Sequence, residues 1–595
     1  MQTVSQEWKN NQNELLTSES FVEISLKLTD PDAYEDATAE HNGSAYFSDV
    51  ADYVVSEVDK NILPHATLER NLWVLDGSRN ILPDSDYGEN GYIGDIICGS
   101  SRTFSKNPII SLNFSKVFES LITGVSFVWS DVFGEYATDF IVTAYNNNTV
   151  VAKSTVTNNT KSRMTAFVDI VNYNKITVEI LKWSLPYRRA RVSAIQIGAD
   201  VSYSKTDLIS YSHTQDVDPI SSTLPKMEIS FSINNEDDSY NPNNLNSTAK
   251  YLIERQEVKV KYGYKIGENV EWIDSGTFYL SGWDAPQNGI VANFTARDLL
   301  EFMSGMYYWG VYNPNGTSLY DLAERVLKDA KLPLDETGSV KWVIDGKLKN
   351  IYTTAPLPID THANCLQMIA NAGECMIYQD RNGILHIETL NRVESDYSIN
   401  LFNSYSKSEI ALSKPLKQVD VPSYNYSVST EVTQLYKGSI YVDGTQEMLI
   451  TYSTPATNVI AVVVSGGTLK SSSCYSNACV VTIAGTGYVN IAVSGNELSS
   501  STVTVSAMSG PKGETISVDN PLITSQDRAK AVGEWVESYM KNRMILTSKW
   551  RADPRLDALD VINNENTYNT NKVLMTSVNY SYNGAFKGDA EGRVI

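Results

Sequence analysis

At 595 residues the chain is too long for one core, because single cores rarely grow beyond roughly 250–300 residues; several domains are expected. A net charge of −22, from 70 acids against 48 bases, disfavours nonspecific adhesion to nucleic-acid phosphate. Residues 1–18 are polar and no run of about 18 apolar residues occurs, so neither a secretory signal nor a transmembrane helix is expected.

Tyrosine (35) outnumbers phenylalanine (15), and Ser, Thr, Asn and Val are frequent, which favours β structure. The cysteines Cys98, Cys365, Cys375, Cys474 and Cys479 are sparse and odd in number, as in a protein made in a reducing cytosol. Cys474 and Cys479 stand where a hairpin can join them, but free buried thiols are the expected state.

Residues 1–20 read as a helix with little core of its own. Phe21 to Leu28 alternates cleanly as a strand, and Asp30-Pro31-Asp32 breaks it. Its best partners lie after residue 200. Residues 41–199 form a self-contained block with strands at β-sandwich spacing: Ile109–Phe114, Ile122–Trp129, Phe140–Tyr145, Thr149–Val156, Met164–Val171, Lys175–Trp183 and Arg191–Ile197. Trp73 and Trp129 lie in apolar strands and are expected to fill its core rather than to stack on a sugar. With Trp183, Tyr187, Arg188 and Arg189 have the chemistry to stack on and hydrogen-bond a glycan, or to touch a partner.

Met227–Ile233 and Val258–Tyr262 are strands. The segment Asp274 to Met303 gives two more around Pro286-Gln287-Asn288-Gly289, then a short helix capped by Asp298. From 314 to 400 the pattern becomes α+β. Ser318 starts a helix through Leu322, Val326 and Leu327. Asp360 or Thr361 caps a second, whose inward stripe is Leu366, Ile369 and Ala370. A strand, an Arg381-Asn382-Gly383 turn and a strand follow.

Residues 430–510 run strand after strand with Gly and Ser turns and almost no charge, which reads as a small immunoglobulin-like sandwich. Thr524 then opens a helix with Ala529, Val532, Trp535, Val536 and Tyr539 on one stripe. Period-two segments come next: Ile545 to Arg551, then Val573 to Tyr582, closed by an Asn583-Gly584 turn. This is a helix packed on a small antiparallel barrel.

No catalytic constellation emerges. His41, His65, His213, His362 and His386 show no metal-ligand spacing, and no H-E-x-x-H, C-x-x-C, G-x-S-x-G or Walker loop is present. His362 near Cys365 and Cys375 is expected to be ordinary packing. Asn234 to Asn244 matches a calcium loop in composition only, and Asp237-Asp238 does not argue for glycosidase work. No catalytic residue, metal or cofactor is expected.

The order of parts resembles a known family. A helix leads to a strand, then to "WRADPRLDALD" (Trp550 to Asp560), then to strands ending in "YSYNG". This resembles the closing domain of phage tail and baseplate hub proteins, including those of phages of Gram-positive bacteria. Asp560 matches the family's acid before a barrel strand, while Ala558 and Val561-Ile562-Asn563 depart from it. Gly276, Phe278, Trp283, Ala296 and Asp298 match the first hub barrel. "NLWVLDGS", "FGEYATDFIVTAY" and "LPYRRARVSAIQIG" resemble a galactose-binding-like jelly roll often inserted in such proteins.

The resemblance implies a mainly β multidomain fold with α+β parts. Residues 1–40 would give the N-terminal helix and first strand of hub barrel 1. Residues 41–199 would be the inserted galactose-binding-like sandwich, 200–313 the rest of barrel 1, and 314–400 an α+β linking domain. Residues 401–429 would start barrel 2, 430–510 would be the inserted immunoglobulin-like sandwich, and 511–595 the closing helix and barrel. It implies a structural, non-enzymatic tail-tip or baseplate hub in the virion, assembled in the host cytoplasm. Such a hub is a homotrimeric ring that meets tail tube and distal tail proteins, a tip or spike protein and the tape-measure protein. DNA passes its lumen without specific binding. The alternative is a host-glycan-binding adhesin, resting on residues 41–199 with Tyr187, Arg188 and Arg189, or a tail-associated cell-wall hydrolase. With the closing barrel placed at the end of this sequence, no added lytic domain is expected.

Overall fold

A computed structural model of the chain describes residues 1–14, 18–29, 33, 36–43, 65–66, 69, 80–81, 91–119, 122–130, 133–204, 207–236, 238, 240–241, 249, 252, 254–267, 269–285, 290–333, 339–390 and 394–595. Trp73, the turn at Pro286 to Gly289 and, within Asn234 to Asn244, residues 237, 239 and 242–244 lie outside the described residues.

Helix α1 (Gln6–Asn13) is capped by the Ser5 hydroxyl, which accepts from the Trp8 amide. Trp8 is fully buried, edge-on to Tyr264 at 4.9 Å. Strand β1 (Ser20–Thr29) buries Val22, Ile24 and Leu26 in strict alternation. One of its two partner strands comes from after residue 200, and the other begins shortly before it. It lies between β2 (Ala194–Tyr203), with Lys27 opposite Asp200, and a later strand, with Val22 opposite Tyr262. Next come β3 (Leu208–Asp216), β4 (Lys226–Asn234), β5 (Glu257–Ile266), β6 (Asn269–Asp284) and β7 (Val291–Arg297).

Between β1 and β2 sits the sandwich. One of its sheets has five antiparallel strands: Thr38–His41, Ile109–Phe118, Tyr173–Trp183, Ala137–Asn146 and Thr149–Val156, in spatial order. The facing strands Arg163–Ile170 and Ile122–Val128 pair on into β2. Trp129, Trp183, Phe127 and Phe140 fill the core between them. The strand Thr38–His41 already belongs to this sandwich, and β2 serves both it and β1. The module therefore shares a strand with the scaffold instead of hanging from a linker.

The α+β part forms as its sequence pattern suggests. Helix α2 (Leu319–Asp329) is capped by Ser318, and α3 (His362–Ala372) by Thr361. Leu366, Ile369 and Ala370 are fully buried, and Met376–Gln379 pairs with Leu385–Glu388. These helices share a core with α4 (Gln526–Met540), which is capped by Ser525 and buries Ala529, Val532, Val536 and Tyr539.

Strand β8 (Glu409–Leu412) precedes three very long strands, β9 (Leu416–Thr451), β10 (Ala456–Cys474) and β11 (Ala478–Met508). The expected immunoglobulin-like sandwich at 430–510 is not what forms. A single sheet, β10-β11-β9 with Glu514–Ser517 at its margin, folds over on itself. The corner is at Gly444, Gly466, Gly467, Gly485 and Gly487, three of them at positive φ (+79°, +86° and +108° for 444, 466 and 487), a backbone only glycine adopts without strain. Only residues 452–455 join the far end of β9 to the start of β10, and the Ala456 amide donates to the Ser476 carbonyl at 2.8 Å. The two halves must therefore face each other. One cluster takes Val442, Ile450, Val481 and Ile483 with Val489, Ile491 and Val493. The alternation holds, but Gly and Ser here are bends inside continuous strands and not turns between short ones. The base of the same sheet packs on α4, where Gly533 lies against Val421 and Ala507. Cys474 and Cys479 form a disulfide across the β10–β11 turn, which corrects the expectation of free thiols; Cys98, Cys365 and Cys375 are free and buried.

The chain closes with β12 (Met544–Trp550), β13 (Val561–Glu565), β14 (Thr570–Tyr582) and β15 (Phe586–Val594). Two closed barrels were expected, and the described residues contain none. One path of pairings runs β2-β1-β5-β6-β7-β4-β3-β14-β15-β12-β8 in a 15-stranded sheet. The link is β3 against β14, with Tyr211 opposite Tyr582 and His213 opposite Tyr580. One cluster accordingly contains Ile24, Phe231, Phe278 and Phe294 together with Trp550, Val578, Tyr580 and Phe586. Pairing β3 with β14 covers the edges that two separate open sheets would leave there.

Candidate functional site: a buried polar junction

The segment Trp550 to Asp560 is where the parts meet. Asp553-Pro554 bends the chain, and burial then forces each polar group there to find a partner. Arg555 turns back on Asp553 through Nε (2.8 Å) and a second guanidinium nitrogen (2.5 Å), and both residues are buried. Backbone carbonyls take hydroxyl donors from the scaffold. Tyr580 donates to Leu556 (2.5 Å) and Asp553 (3.2 Å), and Tyr264 donates to Ala552 (3.3 Å). Trp550 is fully buried, and its indole N–H reaches the Tyr397 hydroxyl at 3.1 Å.

Arg381, from the turn of the α+β part, reaches into this segment. Its Nε donates to Asp557 at 2.8 Å. Its terminal nitrogens donate to the carbonyls of Asp274 (2.9 Å), Pro554 (2.7 Å) and Leu556 (3.3 Å). One guanidinium thus ties β6, the 550–560 segment and the α+β part together, a job for which a five-donor planar fork suits better than an ammonium. Burial works to raise the Asp557 carboxyl, but the charge and hydrogen bond of Arg381 outweigh it, and its pKa lies below the ordinary value. Asp560, whose carboxylate accepts from the Asp557 amide at 2.8 Å, moves the other way: burial raises it, and Asp557 adds to that. Gln2 and Gln215 complete the shell around Asp557, at 2.9 and 3.4 Å.

Beside the junction, His213 is fully buried, with Nδ1 2.9 Å from the Tyr262 hydroxyl, itself 2.8 Å from the Tyr211 hydroxyl. Burial, then the charge of Arg381, push its pKa down to about 3, so the imidazole is neutral near pH 7. Asp298 caps the short helix Leu299–Met303 by accepting from the Leu300 amide at 3.0 Å, and burial raises its pKa to about 7. The composition signal for this junction was Asp-Pro-Arg-Leu itself. Nothing in the sequence marked Arg381 or His213 as its partners, because they reach it only through the fold.

The residues singled out for glycan contact sit elsewhere, at one end of the sandwich. Tyr187 is 38% exposed with φ +60°. Arg188 and Arg189 point inward. Arg188 Nε donates to Glu135 at 2.8 Å, and Glu135 also takes the Trp183 indole N–H at 2.7 Å. The Arg189 side chain donates to the carbonyl of Gly94 at 3.2 Å, while Arg191 pairs with the buried Glu69. Trp129 is core, as expected. His362 bonds the Gly305 carbonyl (2.7 Å) and Asp329 (2.8 Å), not a cysteine. Burial pushes the Cys365 and Cys375 thiols up to about 12, which keeps them protonated and unreactive. Among the described residues no cluster of His, Cys, Asp or Glu is arranged to hold a metal ion, and no helix is long and apolar enough to cross a membrane.

No family model matches the chain, and no curated protein matches it. Solved structures with a related chain trace include the 43 kDa tail protein of prophage MuSo2 from Shewanella oneidensis, at 9% identity over 66% of this chain and 95% of that one, with a TM-score of 0.35. A tail protein from Neisseria meningitidis is 9% identical over 67% and 94%, with a TM-score of 0.37. The prophage tail protein gp18 from Listeria monocytogenes is 9% identical over 66% and 91%, with a TM-score of 0.35. All three scores lie below 0.5, a distant likeness only.

Proposed function

We propose that this protein is a structural component of a phage tail or a tail-like particle, and within it a hub: a homotrimeric ring between tail tube and tip or spike, with DNA passing its lumen. One observation carries the reading. The strands that bear the hub-like motifs, β1 with β3 to β7 and β12 to β15, belong to one sheet over one core, while the described strands of the sandwich and of β9 to β11 gather around cores of their own. A scaffold continuous across two distant stretches of sequence, decorated by modules, is what an assembly part needs: rigid relative placement of several contact surfaces. The charged groups at its centre serve the same end. Asp553, Arg555, Asp557 and Arg381 neutralise one another and hold backbone. Gold-labelled antibody against the chain, applied to intact particles, tests this. Label at one end of the tail supports it; label along the tail tube, on the capsid or absent from particles contradicts it.

A further inference from the structure

The β10–β11 turn is tied down twice. Within the module, Cys474 and Cys479 close it as a disulfide. Its residues Tyr475 to Ala478 then lie against 309–312, the stretch that leads into the α+β part. The Ser476 amide donates to the Gly310 carbonyl at 2.8 Å, and the Tyr312 amide donates to the Ser476 hydroxyl at 3.0 Å. The Tyr475 ring meets Trp309 at 5.0 Å, and Ser476 is 2% exposed. The receiving side is itself anchored. The Trp309 indole donates to Asp329 at 2.8 Å, and the same carboxylate holds His362. Since the base of the module packs on α4, the turn is a second and separate attachment.

Little besides the disulfide holds the β10 side of this turn. Lys470, Ser471, Ser472 and Ser473 are all exposed, and the pairing register shifts between Leu469 and Ser471. A strand end that buries no apolar side chain rests on its ladder bonds alone, and such ends open first. The β11 side, by contrast, buries Ala478, Cys479 and Val481. The turn residues Tyr475-Ser476-Asn477-Ala478 include neither glycine nor proline to preset the backbone. Because the loop it closes is short, the bond constrains the turn more than the fold. Cys474 is half-buried beside those exposed serines, which leaves the bond open to a small thiol, whereas Cys98, Cys365 and Cys375 are buried.

We propose that Cys474 and Cys479 form a redox-controlled latch: the disulfide fixes the turn in the shape that docks on residues 309–312, and reduction releases it. The module core around Val442, Ile483, Val489 and Ile491 stays folded in both states. Closing the latch takes two electrons and two protons from the two thiols, and a low-molecular-weight disulfide such as oxidised glutathione accepts them. One cysteine thiolate attacks that disulfide and expels one thiol; the other cysteine attacks the resulting mixed disulfide and expels the second. Excess reduced thiol runs the same steps backwards. The latch is therefore open in a reducing cytosol and closed in oxidising surroundings. It takes nothing from the tail reading, although a tail part released from a reducing cell would meet both conditions in turn.

The test is hydrogen exchange on the full chain, equilibrated in oxidised or in reduced glutathione. Reduction should speed exchange of the Ser476 and Tyr312 amides by about tenfold or more, within the range that closing a short loop contributes. Amides of α2 and of Val489 to Val493 should not change. Alkylation of the native protein after reduction should newly label Cys474 and Cys479 alone. Cys474→Ser/Cys479→Ser in oxidised glutathione should exchange like reduced wild type; the wild-type comparison stands without this variant if it fails to fold. Unchanged exchange at Ser476 and Tyr312 on reduction overturns the proposal. So does an equal rise throughout β9 to β11, which would make the bond a staple of the module's core. Thiols that stay reduced in oxidised glutathione, or a serine variant protected like oxidised wild type, overturn it as well.

Discussion

Replacing Arg381 by Met tests whether the junction is held by charge. The substitution keeps the length and apolar stem of the side chain but leaves the Asp557 carboxylate without its cation and removes donors from the carbonyls of Asp274, Pro554 and Leu556. Breaking a buried pair from one side costs about 3–5 kcal/mol, and each orphaned buried acceptor about 1–3 kcal/mol more, though these losses overlap. A loss of about 4 kcal/mol near pH 7 is expected, read by urea unfolding with hydrogen exchange of 550–560 to assign the transition. Its pH dependence carries the sign. In wild type the Asp557 pKa is depressed, so its contribution is present above the unfolded carboxyl value and lost as pH falls through the folded one. In the variant burial is opposed only by the Gln2 hydrogen bond and the N-terminal charge, so that pKa rises relative to wild type and the gap between the two proteins narrows as pH falls toward about 4. Adding Asp557→Leu should recover most of the loss, since an apolar pair replaces the ionic one. A penalty under about 1 kcal/mol at pH 7, or one independent of pH, would refute the reasoning.

Three further outcomes follow from the geometry. His213→Phe should lessen acid sensitivity: the wild-type imidazole protonates at about 3 when folded but near 6.5 when unfolded, so its folded state loses stability as pH falls across that window, by a few kcal/mol at most; equal slopes of stability against pH in both proteins would count against this. Gly466→Ala should destabilise the β9–β11 module by about 1–3 kcal/mol, because φ there is +86° and a Cβ would run into the Tyr488 carbonyl oxygen; an unchanged melt of that module would show that the corner is not under this constraint. The fragment 30–198, which has its own core around Trp129, Trp183 and Phe140, should unfold cooperatively on heating; a featureless melt would mean that β2 and β1 complete it.

Much of the fold was legible because it follows from local signals. The caps Ser318 and Thr361, the stripe Leu366, Ile369 and Ala370, the Asn583-Gly584 turn and seven sandwich strands all rest on side-chain periodicity and turn chemistry within a few residues. What was missed is long-range. That β3 pairs with β14, fusing two expected barrels, depends on an edge-to-edge match no local pattern encodes. The length of β9 was hidden because Gly438 and Gly444 resemble turn residues. The junction showed half of itself: Asp553, Arg555 and Asp560 stand in a recognisable string, whereas Arg381 and His213 are ordinary polar residues until folding buries them beside it.

Imaging of intact particles at a resolution that separates subunits bears most directly on the hub reading. It predicts three copies of this chain in a ring at one end of the tail, with an open axial lumen faced by neutral and acidic side chains. One copy, a dimer, a six-copy ring or a lumen lined by basic side chains would contradict it.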